Sequence, residues 1–171
     1  MENTELIVML TWHDVTVENA KEIFLEAKDA PAKYWGFKDV GLPTEQMKDL
    51  VRCMKENGKT TFMECLAHTE EELQKGIDIA LECGFDVFLG GHYFEKTERY
   101  LAEHGLQHLP FVGKRYDHMT HGKLDDLVAE AKSICKTTAY GINLATYRWA
   151  DGKPEELFCA VRAAIDKPLS V

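Results

Sequence analysis

Three apolar runs decide the fold: Tyr34-Trp-Gly-Phe-Lys-Asp-Val40, Thr61-Phe-Met-Glu-Cys-Leu-Ala67 and Phe85-Asp-Val-Phe-Leu-Gly-Gly91. They begin 27 and 24 residues apart, and each interval is filled by apolar residues at helical spacing and closed by a glycine. This period is typical of βαβ units, whose strands pair in parallel. The stretch Trp35–Phe94 therefore predicts an α/β fold with a parallel sheet.

The same alternation continues on both sides of this stretch. Further strands are predicted at Leu6–Leu10, Leu109–Val112 and Ala139–Ala145, and Pro168–Val171 looks like the start of a seventh strand. An eight-fold βα barrel of this period needs about 200 to 250 residues. We therefore expect a (βα)8 (TIM-barrel-like) sheet that is incomplete, in a single domain of residues 1–171 that is truncated at its C-terminus. An open, doubly wound sheet is the alternative, but no Gly-rich nucleotide turn follows the first strand.

Capping signals and loop lengths predict where several helices begin. Thr16 and Thr44 are predicted N-caps, and Thr69 with Glu72 forms a capping box. Residues 113–122 are predicted to form a long polar loop, a feature that often carries function.

Composition excludes several classes of partner. The net charge of −9 argues against nucleic acid or an anionic membrane as the main partner. The acidic N-terminus does not resemble a secretory signal, and no apolar run reaches the roughly 18 residues that a membrane span needs. Five scattered cysteines predict neither a disulfide framework nor a cysteine zinc site. We expect a cytoplasmic protein whose partner is a small molecule.

Polar groups recur at the carboxyl ends of the predicted strands, as His13-Asp14, Lys38-Asp39, Glu64, Gly90-Gly91 and Lys114. This succession resembles the phosphate-binding family of βα barrels, which includes isomerases, epimerases, decarboxylases and aldolases of small phosphorylated sugars and keto acids. The resemblance implies an anionic small-molecule ligand. The family's phosphate site comes from loops after strands seven and eight, so no phosphate-binding residue is carried over. A more distant resemblance is to the barrel-shaped glycerol-operon antiterminator regulators.

The candidate catalytic residues are Lys38, Asp39, Glu64, His92 and Lys114, since the carboxyl ends of barrel strands meet at one mouth. A lysine there can stabilise an enolate as a cation, or attack a carbonyl as an amine. A carboxylate that interrupts an apolar strand can act as a base or a metal ligand. The structural alternative is that Lys38 and Asp39 form a simple ion pair.

The candidate substrate-binding residues are His13, Asp14, Asn143 and Arg148, at the ends of the first and sixth strands. Imidazole and carboxylate groups also suit Zn²⁺ or Mn²⁺. The groups available for such a site are His13, His68, His92, His118 and His121 with Asp39 and Glu64. Because no His-x-x-x-His pair falls on a predicted helix, the metal stays unknown, and a divalent ion is one alternative. His104 and His108 are interpreted as structural.

The leading hypothesis is an isomerase, epimerase, aldolase or decarboxylase that acts beside the carbonyl of a sugar phosphate or keto acid. Glu64 is assigned as the base, and Lys38 and Lys114 as the groups that stabilise the anion. The alternative is a ligand-sensing or regulatory barrel without catalysis. A third hypothesis is a homo-oligomer, because an unclosed barrel exposes strand edges.

Overall fold

The computed structural model describes residues 4–171. Residues 1–3, whose acidic character entered the argument against a secretory signal, lie outside this range. Contacts divide the described chain into two compact units. Unit 1 contains the described residues up to Cys65 together with Gln74–Phe88, and unit 2 contains Leu66–Leu73 and Leu89–Val171. The single domain of residues 1–171 stays a prediction.

Strands and helices alternate along the described chain. In order they are β1 (Ile7–Met9), β2 (Thr11–Trp12), β3 (Val15–Thr16), α1 (Ala20–Ala27), β4 (Tyr34–Lys38), α2 (Thr44–Glu56), β5 (Thr60–Cys65), α3 (Glu70–Cys83), β6 (Val87–Gly90), α4 (Glu95–Glu103), β7 (Gln107–Leu109), β8 (Lys114–Tyr116), β9 (Met119–His121), α5 (Leu124–Ile134), β10 (Ile142–Asn143), a 3-10 helix (Thr146–Arg148), α6 (Pro154–Ala164) and β11 (Leu169–Ser170).

The largest sheet has five strands in the order β1-β4-β5-β6-β7. The pairs β1–β4 and β4–β5 are parallel, and so is the separate pair β10–β11. In unit 2 a parallel bridge joins Phe111 to Asn143, and the Asn143 N–H donates to the Pro110 carbonyl. The predicted α/β fold with a parallel sheet is confirmed, as are the helices expected between its strands.

Two short antiparallel hairpins were not predicted. One, β2–β3, follows β1, and the other, β8–β9, occupies the segment that was predicted to be a polar loop. Each turns through two residues in the left-handed region, His13 and Asp14 (φ 48° and 62°) and Asp117 and His118 (φ 50° and 59°). Hairpins of this kind are normally signalled by Asn-Gly or Asp-Gly, which neither turn contains. The loop interpretation of residues 113–122 is therefore wrong.

Three further local predictions are corrected. Neither Thr16 nor Thr44 is an N-cap. Thr16 lies in β3 and α1 begins only at Ala20, while Thr44 is the first residue of α2 and Pro43 is the N-cap. The fifth strand lies earlier than predicted, at Gln107–Leu109, and ends before Pro110, which has no N–H to donate to a sheet. By contrast, the capping box is confirmed: the Glu72 N–H donates to the Thr69 hydroxyl, and the Glu72 carboxylate accepts from the Thr69 N–H.

Each unit has buried apolar side chains of its own. In unit 1, Phe24 packs edge-to-face against Trp35 with ring centroids 5.2 Å apart. In unit 2, a buried cluster joins α5 and α6 to β10, with Leu127, Ile142 and Leu157 fully or almost fully buried. None of the helices between residues 4 and 171 has both the length and the apolar character needed to span a membrane.

Candidate functional site

A buried lysine lies between two carboxylates at the carboxyl ends of β4 and β5. Nζ of Lys38 is 3.0 Å from Oδ1 of Asp14 and 3.3 Å from Oε2 of Glu64. The side chain of Lys38 is only 5% exposed, whereas Glu64 is 23% and Asp14 51% exposed. We call these three residues the Lys38 cluster. Both carboxylates are therefore in partial contact with solvent, whereas the Lys38 side chain is almost completely buried.

The register of the sheet brings Lys38 and Glu64 together. Lys38 is the last residue of β4, and it lies directly opposite Glu64 on β5. Residues opposite each other on neighbouring strands project to the same face of a sheet, while the next residue along a strand projects to the other face. The predicted Lys38–Asp39 ion pair is therefore wrong: Lys38 pairs with Asp14 and Glu64, and Asp39 uses its N–H to donate to the Glu64 carbonyl, at 3.3 Å.

The hairpin β2–β3 brings the third member of the Lys38 cluster into place. Asp14 lies in its two-residue turn. Thr16, on the returning strand, is buried, and its hydroxyl both accepts from the Lys38 N–H and donates to the Lys38 carbonyl, each at 2.9 Å. A Cβ added at Gly41 would lie 2.3 Å from the Thr16 carbonyl oxygen, so the close approach needs a glycine there. From the sequence Thr16 was predicted only as an N-cap, because the backbone that its hydroxyl contacts is 22 residues away.

The net charge of the Lys38 cluster is −1, from one ammonium and two carboxylates. A charged group that is removed from water must be paired, since an unpaired buried charge costs several kcal/mol. The two carboxylates therefore explain how β4 accommodates a lysine. The same arrangement places a cation and a partly exposed potential base within one hydrogen-bond distance of each other.

His13 is exposed in the β2–β3 turn, where its ring lies 4.8 Å from that of Trp12. The other candidates belong to unit 2, where His92 has the most distinctive environment. It follows the Gly90-Gly91 end of β6 and is partly buried. Burial lowers the pKa of His92, and the nearby charges of His68 and Arg115 lower it further. A neutral imidazole is therefore favoured at neutral pH, and such a ring can either accept or donate a proton.

Lys114, Asn143 and Arg148 have different surroundings. Lys114 is exposed and lies on β8, directly opposite His121. Asn143 is buried on β10, where its backbone completes the bridge to Phe111. Arg148 is exposed on the 3-10 helix, and its guanidinium donates to the His118 carbonyl at 3.5 Å. Convergence of His92 and Lys114 with the Lys38 cluster stays a prediction.

A second buried pair lies within unit 2. Nδ1 of His108 is 2.8 Å from Oε2 of Glu98, and Nε2 is 2.9 Å from the Gly90 carbonyl oxygen. Both side chains are almost completely buried, at 1% and 3% exposure. The pair ties α4 and β7 to the end of β6 that precedes His92. From the sequence His108 was interpreted as structural. No sequence pattern distinguished Glu98 as its partner, because Glu98 is one acid among several on α4.

The geometry gives no support to a metal site. Among the residues that the structure describes, no group of three or more His, Cys, Asp or Glu side chains is placed so as to hold a metal ion. The identity of any metal therefore stays unknown, as in the sequence analysis.

Comparisons with known proteins bear on the fold. No protein-family model matches the chain, and comparison with curated proteins finds no match. Among solved structures, citrate synthase SbnG superposes with a TM-score of 0.63 at 8% identity, covering 95% of this chain and 75% of that one. A xylose isomerase domain protein from Planctomyces limnophilus gives 0.58 at 13% identity, covering 95% and 71%. A D-allulose 3-epimerase from Methylomonas sp. gives 0.56 at 16% identity, covering 91% and 68%.

The fold is of the TIM-barrel type. At these identities the likeness extends to the fold and not to the activity. In this fold Lys38 and Glu64 lie at the carboxyl ends of their strands.

Proposed function

We propose that the protein catalyses proton transfer at the carbon next to a carbonyl group, as an isomerase or epimerase of a small sugar phosphate or keto acid. One observation carries the proposal: the buried Lys38 ammonium contacts the partly exposed carboxylate of Glu64 at the carboxyl ends of adjacent strands. The roles of the residues in this reaction follow from the movement of negative charge during proton transfer.

Glu64 acts as the base. Its carboxylate takes a proton from the carbon next to the carbonyl, the C–H electron pair forms a C=C bond, and the carbonyl π electrons move onto oxygen as an enolate. Negative charge thus passes from Glu64 to the substrate oxygen. A cation that contacts both oxygens stabilises the charge throughout, and Lys38 has this position relative to Glu64. Return of the proton at the neighbouring atom or the opposite face gives the isomer or the epimer.

The ion pairs favour Lys38 as a cation over Lys38 as a nucleophile. Attack on a carbonyl requires the free amine. Nζ of Lys38 lies 3.0 and 3.3 Å from two carboxylates, and these contacts favour the ammonium form. Proton-transfer chemistry is therefore preferred to an aldolase that forms a Schiff base, although a lyase that uses the same enolate remains within the proposal.

An anionic substituent on the substrate is also part of the proposal. Hairpin β8–β9 carries the consecutive basic residues Lys114 and Arg115, and the Arg115 guanidinium lies 4.2 Å from the ring centre of Phe111. A guanidinium can bind a carboxylate or phosphate through two parallel hydrogen bonds. Lys114 and His92 are proposed as further catalytic groups. A homo-oligomer in the cytoplasm stays a prediction.

Two of the similar solved structures are named as an epimerase and a xylose isomerase domain protein. Their names are compatible with the proposed reaction, but the proposal for this chain rests on its own Lys38 cluster.

Exchange of substrate hydrogen with deuterated water tests the proposal. Small aldoses, ketoses, their phosphates and 2-keto acids are incubated with the protein in D2O and followed by proton NMR. We expect exchange next to the carbonyl of at least one compound, and a loss of about 100-fold or more in Glu64→Gln and Lys38→Met. The controls Glu45→Gln and Lys21→Met make the same chemical changes at exposed ion pairs and should keep the rate.

Exchange that persists in both cluster variants would overturn the role assignment. Trapping of a covalent adduct by borohydride would favour the Schiff-base reaction instead. Tight binding of a compound without exchange or conversion would favour the ligand-sensing alternative.

A further inference from the structure

The two carboxylates that contact Lys38 come from different kinds of element. Glu64 belongs to a strand of the main sheet. Asp14 lies in the turn of the short hairpin β2–β3, and it contacts Lys38, which is 24 positions away in the sequence. Hairpin and lysine are joined twice, by the Asp14 carboxylate at Nζ and by the Thr16 hydroxyl at the Lys38 backbone. The fold therefore holds a second carboxylate against a lysine that Glu64 already neutralises.

We propose that Asp14 is a specificity-determining residue, which excludes anionic groups from Lys38 and reserves this position for an uncharged substrate oxygen, such as a carbonyl or hydroxyl. The inference deepens the proposed function and rests on it, since Lys38 is taken as the group that meets the substrate oxygen. Any phosphate or carboxylate of the substrate then binds elsewhere.

The charges of the Lys38 cluster carry the argument. With Asp14 in place the three side chains carry a net charge of −1, so a phosphate or carboxylate that approaches Lys38 meets two carboxylates within 3.3 Å of the ammonium. At such similar distances the repulsion from two carboxylates exceeds the attraction to one ammonium. An uncharged oxygen does not meet this repulsion, and it can accept a hydrogen bond from the ammonium, whose three N–H groups are not used up by two carboxylate contacts.

The extra carboxylate is also compatible with the proposed reaction. When Glu64 takes the proton it loses its charge, and the enolate oxygen becomes the second anion beside Lys38 and Asp14. The net charge of −1 is therefore the same before and after proton transfer. Asp14 keeps Lys38 paired throughout, and a permanent anion at Lys38 would compete with the developing enolate for the same cation.

Asp14→Asn is the informative variant. Asparagine has the same shape as aspartate and tolerates left-handed backbone, so the φ of 62° is retained. Asp49→Asn is the matched control, because Asp49 is also a partly exposed acid in contact with two basic side chains, Lys21 and Arg52. Both variants raise the net charge by one, but only the first does so at the Lys38 cluster.

Binding of inorganic phosphate and of acetate is measured by isothermal titration calorimetry on the wild-type chain and the variants, with circular dichroism to confirm folding. We expect Asp14→Asn to bind at least one of these anions about tenfold or more tightly than wild type and Asp49→Asn do. Adding Lys38→Met to Asp14→Asn should remove the gain, which locates the anion at Lys38.

The inference would be overturned if folded Asp14→Asn bound neither anion more than twofold more tightly than wild type does, or if the gain survived Lys38→Met. None of these measurements requires turnover, so the inference fails or stands separately from the proton-transfer role of Glu64, which hydrogen exchange tests.

Discussion

Lys38 and Glu64 lie directly opposite each other on β4 and β5, with Nζ of Lys38 3.3 Å from Oε2 of Glu64. Each residue interrupts an apolar strand, and each is accommodated because the other has the opposite charge. The pair therefore connects the stability of the sheet with the chemistry proposed at its edge, and the two contributions can be separated by experiment.

Lys38→Met should destabilise the protein by about 2 kcal/mol, because it leaves two neighbouring carboxylates without their shared cation; this is below the range for fully buried pairs, since both acids keep some contact with water. Glu64→Gln should be milder, because Lys38 keeps Asp14. Urea unfolding of both single variants and the double variant gives the coupling free energy, expected at about 1 kcal/mol. Strictly additive effects would mean that the two side chains do not interact in solution.

Thr16→Val should cost about 2 kcal/mol, because it keeps the shape of the side chain but leaves the buried Lys38 N–H and carbonyl without their hydroxyl partner. Thr16→Ser keeps the hydroxyl and should cost less. Hydrogen exchange gives a local readout: the Lys38 amide should exchange faster in Thr16→Val and not in Thr16→Ser. Equal protection in both variants would contradict the role of the hydroxyl.

His92 should make the protein less stable in mild acid. Burial lowers the pKa of His92 in the folded state below its usual value near 6.5, so the unfolded chain binds the proton more tightly. The contribution of neutral His92 is therefore fully present above pH 6.5 and is lost as the pH falls below it. Urea unfolding between pH 7.5 and 5 should show a smaller decline in His92→Gln than in wild type. His104→Gln makes the same substitution at an exposed histidine and is the control for the loss of an imidazole.

Glu98→Ala should destabilise unit 2 strongly, by about 3 kcal/mol, because it leaves His108 buried without its carboxylate partner. Replacing both residues by leucine removes both polar groups and should recover part of the loss. Thermal unfolding followed by circular dichroism measures the three variants. A double variant that is less stable than Glu98→Ala would show that the pair contributes more than mutual charge compensation.

Local sequence patterns were sufficient for much of the fold. The period of the apolar runs around Trp35–Phe94 predicted alternating strands and helices, and the Thr69–Glu72 capping box formed as expected. Such features depend on residues within a few positions of one another, so they can be read directly from the chain. The fifth strand was placed less well: it was predicted at Leu109–Val112, but it lies at Gln107–Leu109 and ends before Pro110.

The candidate site was only partly predictable, for a related reason. Lys38, Glu64 and Asp14 were each singled out as polar residues at strand ends, but the ion pair weighed as the structural alternative joined Lys38 to its neighbour Asp39. The hairpin turns at His13-Asp14 and Asp117-His118 carry no glycine, so nothing local announced them.

By itself the sequence determined the α/β class, the order of most elements and the strand ends at which charged residues occur, because periodicity and capping act over short distances. Only the tertiary structure decided which charges meet. The register of β4 against β5 placed Glu64 beside Lys38, and the return of hairpin β2–β3 placed Asp14 and Thr16 there. Those contacts join residues 22 to 26 positions apart, and they form only when the strands pair in one register and one hairpin folds back.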